Sequence, residues 1–233
     1  MPGVYIYTGD AVSESNLKQK LENYRNETEF DYDGEKGKLI DQVHDFSTHN
    51  NNLVCCRYSY DARIPYEYQG QTKFRTQTFD IHVKIILGDT VFYLIEKVKG
   101  SRVSITAQKI SQLVYGQPKT IIALSLEPQL ITEIESEDYR YLHGEGLKHI
   151  TAKDSMMMLY GALAIRNDDG SEELSDTHQA YEQEDKGYTQ YESLSTGFTV
   201  YLSAKKSTLT LTGNGANLDE VEKYFRSFIF PRI

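Results

Sequence analysis

The residues from Phe79 to Gly116, FDIHVKIILGDTVFYLIEKVKGSRVSITAQKISQLVYG, constrain the fold more than any other stretch. Phe79, Ile81, Val83, Ile85 and Leu87 alternate with Asp80, His82 and Lys84, the period of a strand with one buried face. Gly88-Asp89 follows as a two-residue turn. That turn predicts a hairpin with Ile85 facing Phe92, Val83 facing Leu94 and Phe79 facing Val98 on the core side. The same register sets Lys84 beside Tyr93, His82 beside Ile95 and Asp80 beside Lys97 on an outward, basic and aromatic side. It also turns Glu96 inward, opposite Ile81. After Gly100, a serine cap at Ser101 or Ser104 starts a helix with Val103, Ala107, Ile110 and Val114 on one stripe, ended by Gly116 and Pro118. A hairpin with an apolar side, followed at once by an amphipathic helix, predicts an α+β fold: an antiparallel sheet covered on one face by helices.

Charge divides the chain. The net charge is −9, yet residues 73 to 126 hold eight basic groups against three acidic, and residues 127 to 192 five against sixteen. An acidic average argues against a protein coated for nucleic acid, while a local basic face still permits binding. No apolar run reaches the roughly 18 residues of a membrane span, and MPGVYIYTGD lacks the order of a signal peptide. A cytoplasmic protein with no membrane partner is therefore expected. The adjacent Cys55 and Cys56 point to opposite sides of a strand and are expected to stay free thiols.

In chain order, Val4 to Tyr7 predicts a short strand, and Ser13 or Ser15 begins a helix with Leu17, Leu21 and Tyr24 on one stripe. NETEFDYDGEKGK, 26 to 38, is expected as loop, and Leu39 to Phe46 as a second short helix. Asp41, His44, Asp45 and His49 cluster there, but two histidines five apart do not share a helical face, so a solvated helix end is favoured over a metal site. LVCCRYSY, 53 to 60, and 73 to 87 are expected as strands joined by a connection containing Pro65 and Gly70. Tyr58, Tyr60, Tyr66 and Tyr68 resemble a stacking platform, although tyrosine is also simply a good strand residue. Thr120 to Leu126 is expected as a buried strand, with Pro128 and Glu133 to Asp138 leading out of it. HGEGLKH, holding His143, Glu145 and His149, is expected as a turn. Met156 to Ile165 is expected in the core, and 166 to 192 as a long acidic loop.

The C-terminal residues repeat the opening pattern. In TGFTVYLSAKKSTLTLTG, with Lys205-Lys206 as the loop, Leu202 faces Leu209 and Val200 faces Leu211 on a core side. Thr199, Tyr201 and Ser203 face Thr212, Thr210 and Thr208 on the other. Asn217 and Glu220 then form a capping box before Leu218, Val221, Phe225 and Phe228. Two strand-strand-helix units suggest internal duplication, with a first unit at 1 to 126 and a second at 127 to 233, readable also as one continuous domain.

Antiparallel strands ending in a helix, present twice, with SAKKSTLTLTG before NLDEVEKYF, resemble the half-repeat of the TATA-box-binding-protein fold. A helix-grip sheet has a similar shape. In the first family the concave sheet grips the minor groove with paired Phe wedges; here the corresponding face carries Thr and Ser and no matched Phe pair. The resemblance implies architecture and does not transfer function.

The functional expectation is a non-catalytic binding or scaffold module using the outward sheet face. Its residues are His82, Lys84, Tyr93, Lys97, Lys99 and Arg102, with Tyr201, Lys205 and Lys206 on the second hairpin. The partner is nucleic acid or an acidic protein surface, within a homo- or hetero-oligomer or a larger complex, and neither cofactor nor metal is expected. Two alternatives stand beside it. One is a metal-dependent, nuclease-like enzyme using Asp89, Glu96 and Lys99. The other is a small-ligand pocket between helix and sheet, lined by tyrosines.

Overall fold

The computed structural model describes residues 1–32, 35–50, 52–98, 101–147, 165–166, 172–173, 186–204 and 206–233. The fold is α+β, with extensive antiparallel sheet and helices. The chain forms two compact units, one of Tyr7–Ile122 and one of Met1–Ile6 together with Ala123–Ile233.

The chain opens with β1 (Gly3–Gly9). In the Tyr7–Ile122 unit, α1 (Glu14–Leu21) is capped by the Ser13 side chain and buries Leu17 and Leu21. An antiparallel meander follows: β2 (Arg25–Tyr32), β3 (Glu35–His49), β4 (Leu53–Tyr68), β5 (Gln71–Ile86) and β6 (Val91–Glu96), each paired with the next. Helix α2 (Arg102–Tyr115) closes the unit and buries Val103, Ala107, Ile110 and Val114. Its C-cap Gly116 has φ 74°, a left-handed conformation that glycine adopts without a Cβ penalty.

Three contacts fix where α2 lies. The Arg102 guanidinium sits 3.9 Å from the Phe79 ring centroid, Lys109 Nζ is 2.8 Å from Asp41 Oδ2, and the Tyr115 and Tyr93 hydroxyls are 2.8 Å apart. All three strand residues belong to the same side of the sheet as Val54, Cys56, Tyr58, Ile81, Val83, Ile85 and Ile95, which are buried. This is the helix side.

The second unit contains α3 (Pro128–Asp138), reached through the two-residue β7 (Ile122–Ala123), then β8 (Tyr139–Leu147) and the two-residue pair β9 (Ile165–Arg166) and β10 (Glu172–Glu173). It continues with β11 (Lys186–Ser193), β12 (Thr199–Ser203), β13 (Thr208–Thr212) and α4 (Leu218–Tyr224). Its sheet runs β1-β13-β12-β11-β8, with Val4 opposite Leu209. Gly3 pairs with Thr210 so closely that a Cβ would stand 2.6 Å from Thr210 Oγ1. Asn217 caps α4 by accepting from the amides of Asp219 and Glu220, one half of the expected capping box, while the Glu220 carboxylate accepts from Lys223 Nζ at 2.7 Å. A buried chain of hydroxyls ties helices to sheet: Tyr191 Oη is 2.5 Å from Tyr224 Oη, which donates to Asp138 Oδ2 at 2.8 Å.

Several local expectations are overturned. Residues 26–32 and 35–38 are paired strand, and Leu39–Phe46 lies inside β3, because these polar segments are held by backbone pairing with a neighbouring strand. The connection around Pro65 and Gly70 is itself strand except for a turn at Gln69-Gly70. Pro65 is tolerated because β3 pairs with β4 only as far as Tyr60, which leaves an open edge where no N–H is required. Of Thr120–Leu126 only Ile122–Ala123 is strand, Glu133–Asp138 ends a helix, and the backbone of His143 and Glu145 is strand rather than turn. The 186–192 part of the expected acidic loop belongs to β11. Residues 156–164, His149 and most of 166–185 lie outside the described residues.

The first hairpin also differs in register. Five residues, Leu87–Val91, separate its last pair, Ile86 and Phe92, where a two-residue turn leaves an even number between any pair, so Val83 faces Ile95, Lys84 faces Leu94 and Ile85 faces Tyr93. A slip of one residue moves every side chain of β6 to the other face.

Candidate functional site

On the side of β3–β6 opposite α2, the pleat presents His44 from β3, Cys55, Arg57 and Ser59 from β4, Asp80, His82 and Lys84 from β5, and Leu94 and Glu96 from β6. The residues come from central, well-paired strands, so their positions are set by the ladder rather than by loops. At one end of this side Ile86, Phe92 and Leu94 are buried. At the other lies a polar network.

Asp80 is its hub. Arg57 Nη2 is 2.5 Å from Asp80 Oδ2, Ser59 Oγ donates to Asp80 Oδ1 at 3.0 Å, and His44 Nε2 is 3.2 Å from the same oxygen. His44 Nε2 is also 2.7 Å from Ser59 Oγ, and His44 Nδ1 is 3.3 Å from Asp45 Oδ2. The side chains of His44, Arg57 and Asp80 remain about one-third exposed, at 34%, 35% and 33%, which leaves the network reachable from outside. Ser59 is buried beneath it. Arg57 Nε is buried and makes no hydrogen bond among the described residues.

The order Ser59, His44, Asp45 has the outline of a nucleophile, base and orienting acid, but the hydrogens run the wrong way. A hydroxyl has one proton to donate, and Ser59 donates it to Asp80. Nε2 of His44 must then be the donor toward Ser59 and Asp80, whereas a general base needs that nitrogen free. The arrangement orients groups and balances charge.

The residues expected from sequence distribute as follows. His82 and Lys84 do lie on the open side, half-buried, and the His82 amide donates to Glu96 Oε2 at 3.2 Å. Tyr93 does not: it is fully buried on the helix side, its hydroxyl held by Tyr115, and burial raises its pKa. Arg102 likewise sits on the helix side, stacked on Phe79. Lys97 is exposed just past the end of β6, while Lys99 and Lys205 lie outside the described residues. Lys206 is exposed in the β12–β13 loop, where its amide donates to Ser203 Oγ at 3.3 Å. Tyr201 occupies the side of the other unit opposite α3 and α4 and stacks on Tyr188, with ring centroids 5.6 Å apart. That side also carries Thr199, Ser203, Thr208, Thr210 and Thr212, the pairing expected from sequence.

The slipped register accounts for Glu96. Instead of facing the core opposite Ile81, it is on the open side beside His82. Asp89 stands in the turn at the far end of β6, about 20 Å away along a strand of this length, so the two carboxylates cannot share one ion. Among the described residues no group of three His, Cys, Asp or Glu side chains is placed to hold a metal, including the cluster at Asp41, His44, Asp45 and His49. No helix among them is long and apolar enough to cross a membrane. The sequence reading missed Arg57, Ser59 and Asp80 as a set. Their one signal is parity: Cys55, Arg57 and Ser59 alternate along β4, as Asp80, His82 and Lys84 do along β5.

Comparison with family models, with curated proteins and with solved structures finds no match.

Proposed function

We propose that the protein is a non-catalytic binding module, one subunit of a larger assembly, whose protein partner docks on the side of β3–β6 opposite α2. The observation that carries this reading is the interlocked Asp45–His44–Ser59–Asp80–Arg57 network, one-third exposed and mounted on central strands. Preorganised side chains lose little entropy on binding, which is what a recognition surface requires. Cations and carboxylates are interleaved there, so the face offers a polyanion no net attraction and suits a protein surface of mixed charge.

The fold is read here as a duplication of the TATA-box-binding-protein type. Its support is the recurrence, within each unit, of a helix, an antiparallel run of strands and a closing helix after the last hairpin.

The test is identification of the retained partner from native extract, followed by titration of the purified pair. Arg57→Ala and Lys84→Glu should each weaken binding by about 2 kcal/mol, the scale of an interface hot spot, while Lys20→Ala on exposed α1 should not change it. Equal affinity in all three variants would refute the face. Salt-sensitive duplex binding abolished by Lys84→Glu would replace the protein partner with nucleic acid.

A further inference from the structure

Beyond residue 60, β4 and β5 continue as a two-stranded arm that ends in the Gln69-Gly70 turn. The pairs along it are Ala62 with Gln77, Ile64 with Arg75, Tyr66 with Lys73 and Tyr68 with Gln71, and all eight side chains share one face. Tyr66 and Tyr68 are 39% and 51% exposed, unusual for large aromatic side chains. Gln71, Lys73, Arg75 and Gln77 are exposed as well. Lys73 Nζ lies 4.8 Å from the Tyr68 ring centroid.

Charge is sorted across the arm. Both of its carboxylates, Asp61 and Glu67, project from the opposite face, where they accept from Thr78 at 2.6 Å and Thr72 at 3.4 Å. That opposite face is also where the arm is anchored. The Arg63 guanidinium lies 4.7 Å from the Phe30 ring centroid of β2 and 4.8 Å from that of Phe74. The tyrosine face therefore carries two cations, two exposed rings, two amides and no acid.

We infer that this face is a docking strip for single-stranded nucleic acid, independent of the Arg57–Asp80 face. Lys73 and Arg75 meet phosphates, and the rings of Tyr66 and Tyr68 stack on bases. Residues two apart in a strand are about 6.8 Å apart, twice the roughly 3.4 Å between stacked bases, so one base fits between the rings. A duplex keeps its bases stacked on each other and cannot use the tyrosines this way. A partner adding as a further strand is disfavoured because Pro65 offers no N–H on the open edge.

Anisotropy titrations of the full chain with a labelled thymidine oligonucleotide of about 16 nucleotides, the matching duplex and polyglutamate, each at two salt concentrations, test the strip. The single strand should bind more tightly than either competitor. Tyr66→Ala and Tyr68→Ala should each weaken it roughly tenfold, with the corresponding Phe variants close to wild type. Lys73→Gln and Arg75→Gln should each reduce the salt slope by about 0.7. All these side chains are exposed, and unchanged circular dichroism confirms the fold. Arg57→Ala should leave single-strand affinity unchanged, so this strip and the protein-docking face can fail separately. Duplex or polyglutamate binding as tight as the single strand, absence of binding, or indifference to the tyrosine substitutions would each overturn the assignment.

Discussion

The two hairpins that precede helices α2 and α4 differ in how tightly their sequences specify pairing. In β12–β13 aliphatic residues alternate strictly with Thr, Tyr and Ser, and the register matches the alternation: Val200 with Leu211, Leu202 with Leu209. In β6 all five residues from Val91 to Ile95 are aliphatic or aromatic, so no alternation marks which belong to the helix side. Gly88-Asp89 resembles a complete two-residue turn, yet five residues, Leu87–Val91, separate the last pair, Ile86 and Phe92. Where both faces of a strand are apolar, loop length alone sets the register, and loop length is the weaker signal.

The comparison can be broken by mutation. Leu94→Ala, on the side of β6 opposite α2 and 1% exposed, should cost about 3 kcal/mol through lost burial and a cavity. Thr210→Ala, on the Tyr201 side of the other hairpin and 4% exposed, should cost about 1 kcal/mol. Urea unfolding of the two variants reads the contrast, and equal losses would show that the second hairpin's polar side packs like a core.

A smaller effect is read from pH. Burial pushes the Cys56 thiol up to about 12 from an ordinary 9.0. Its raised pKa means the neutral form is favoured on folding. Its contribution is therefore complete below about pH 9 and is lost as pH climbs toward 12, amounting to about 2 kcal/mol by about pH 10.5. Tyr191 and Tyr224 in the other unit are raised by burial too, so both units weaken in alkali. Melting temperatures from pH 7 to 11 should fall less steeply for Cys56→Ala than for wild type. A parallel slope would remove the thiol from the alkaline response.

The smallest expected change sharpens the register itself. Glu96→Gln keeps an oxygen to accept from the His82 amide, so it should shift stability by less than about 1 kcal/mol. A carboxylate facing the core would instead be relieved by the substitution, and a clear gain in melting temperature would restore the two-residue turn.

Helices α1, α2 and α4 were legible, because a stripe such as Val103, Ala107, Ile110 and Val114 and a cap such as Asn217 are local signals, whereas α3 was not expected and the helix expected at Leu39–Phe46 is strand. The strands of NETEFDYDGEKGK were illegible for the converse reason. Their stability comes from pairing, as Arg25 with Gln42 or Glu27 with Ile40, and from ion pairs such as Glu27 with Lys38, none of which has a short-range sequence signature. The open-side network was hidden in the same way. His44, Ser59 and Asp80 lie on three strands, and only the registers bring them within hydrogen-bonding distance. His82 and Lys84 could be placed on that side because β5 alternates clearly; Tyr93 could not, because β6 does not.

The pairing of Gly3 with Thr210 bears on how the chain acquires its structure. In the Tyr7–Ile122 unit every strand from β2 to β6 pairs with its sequence neighbour, so the meander can zip up through short loops as it is synthesised. The other unit needs Gly3–Tyr5 as an edge for β13, and that contact cannot form until residue 210 has left the ribosome. The β13 side of the first strand to be translated is thus among the last to be paired.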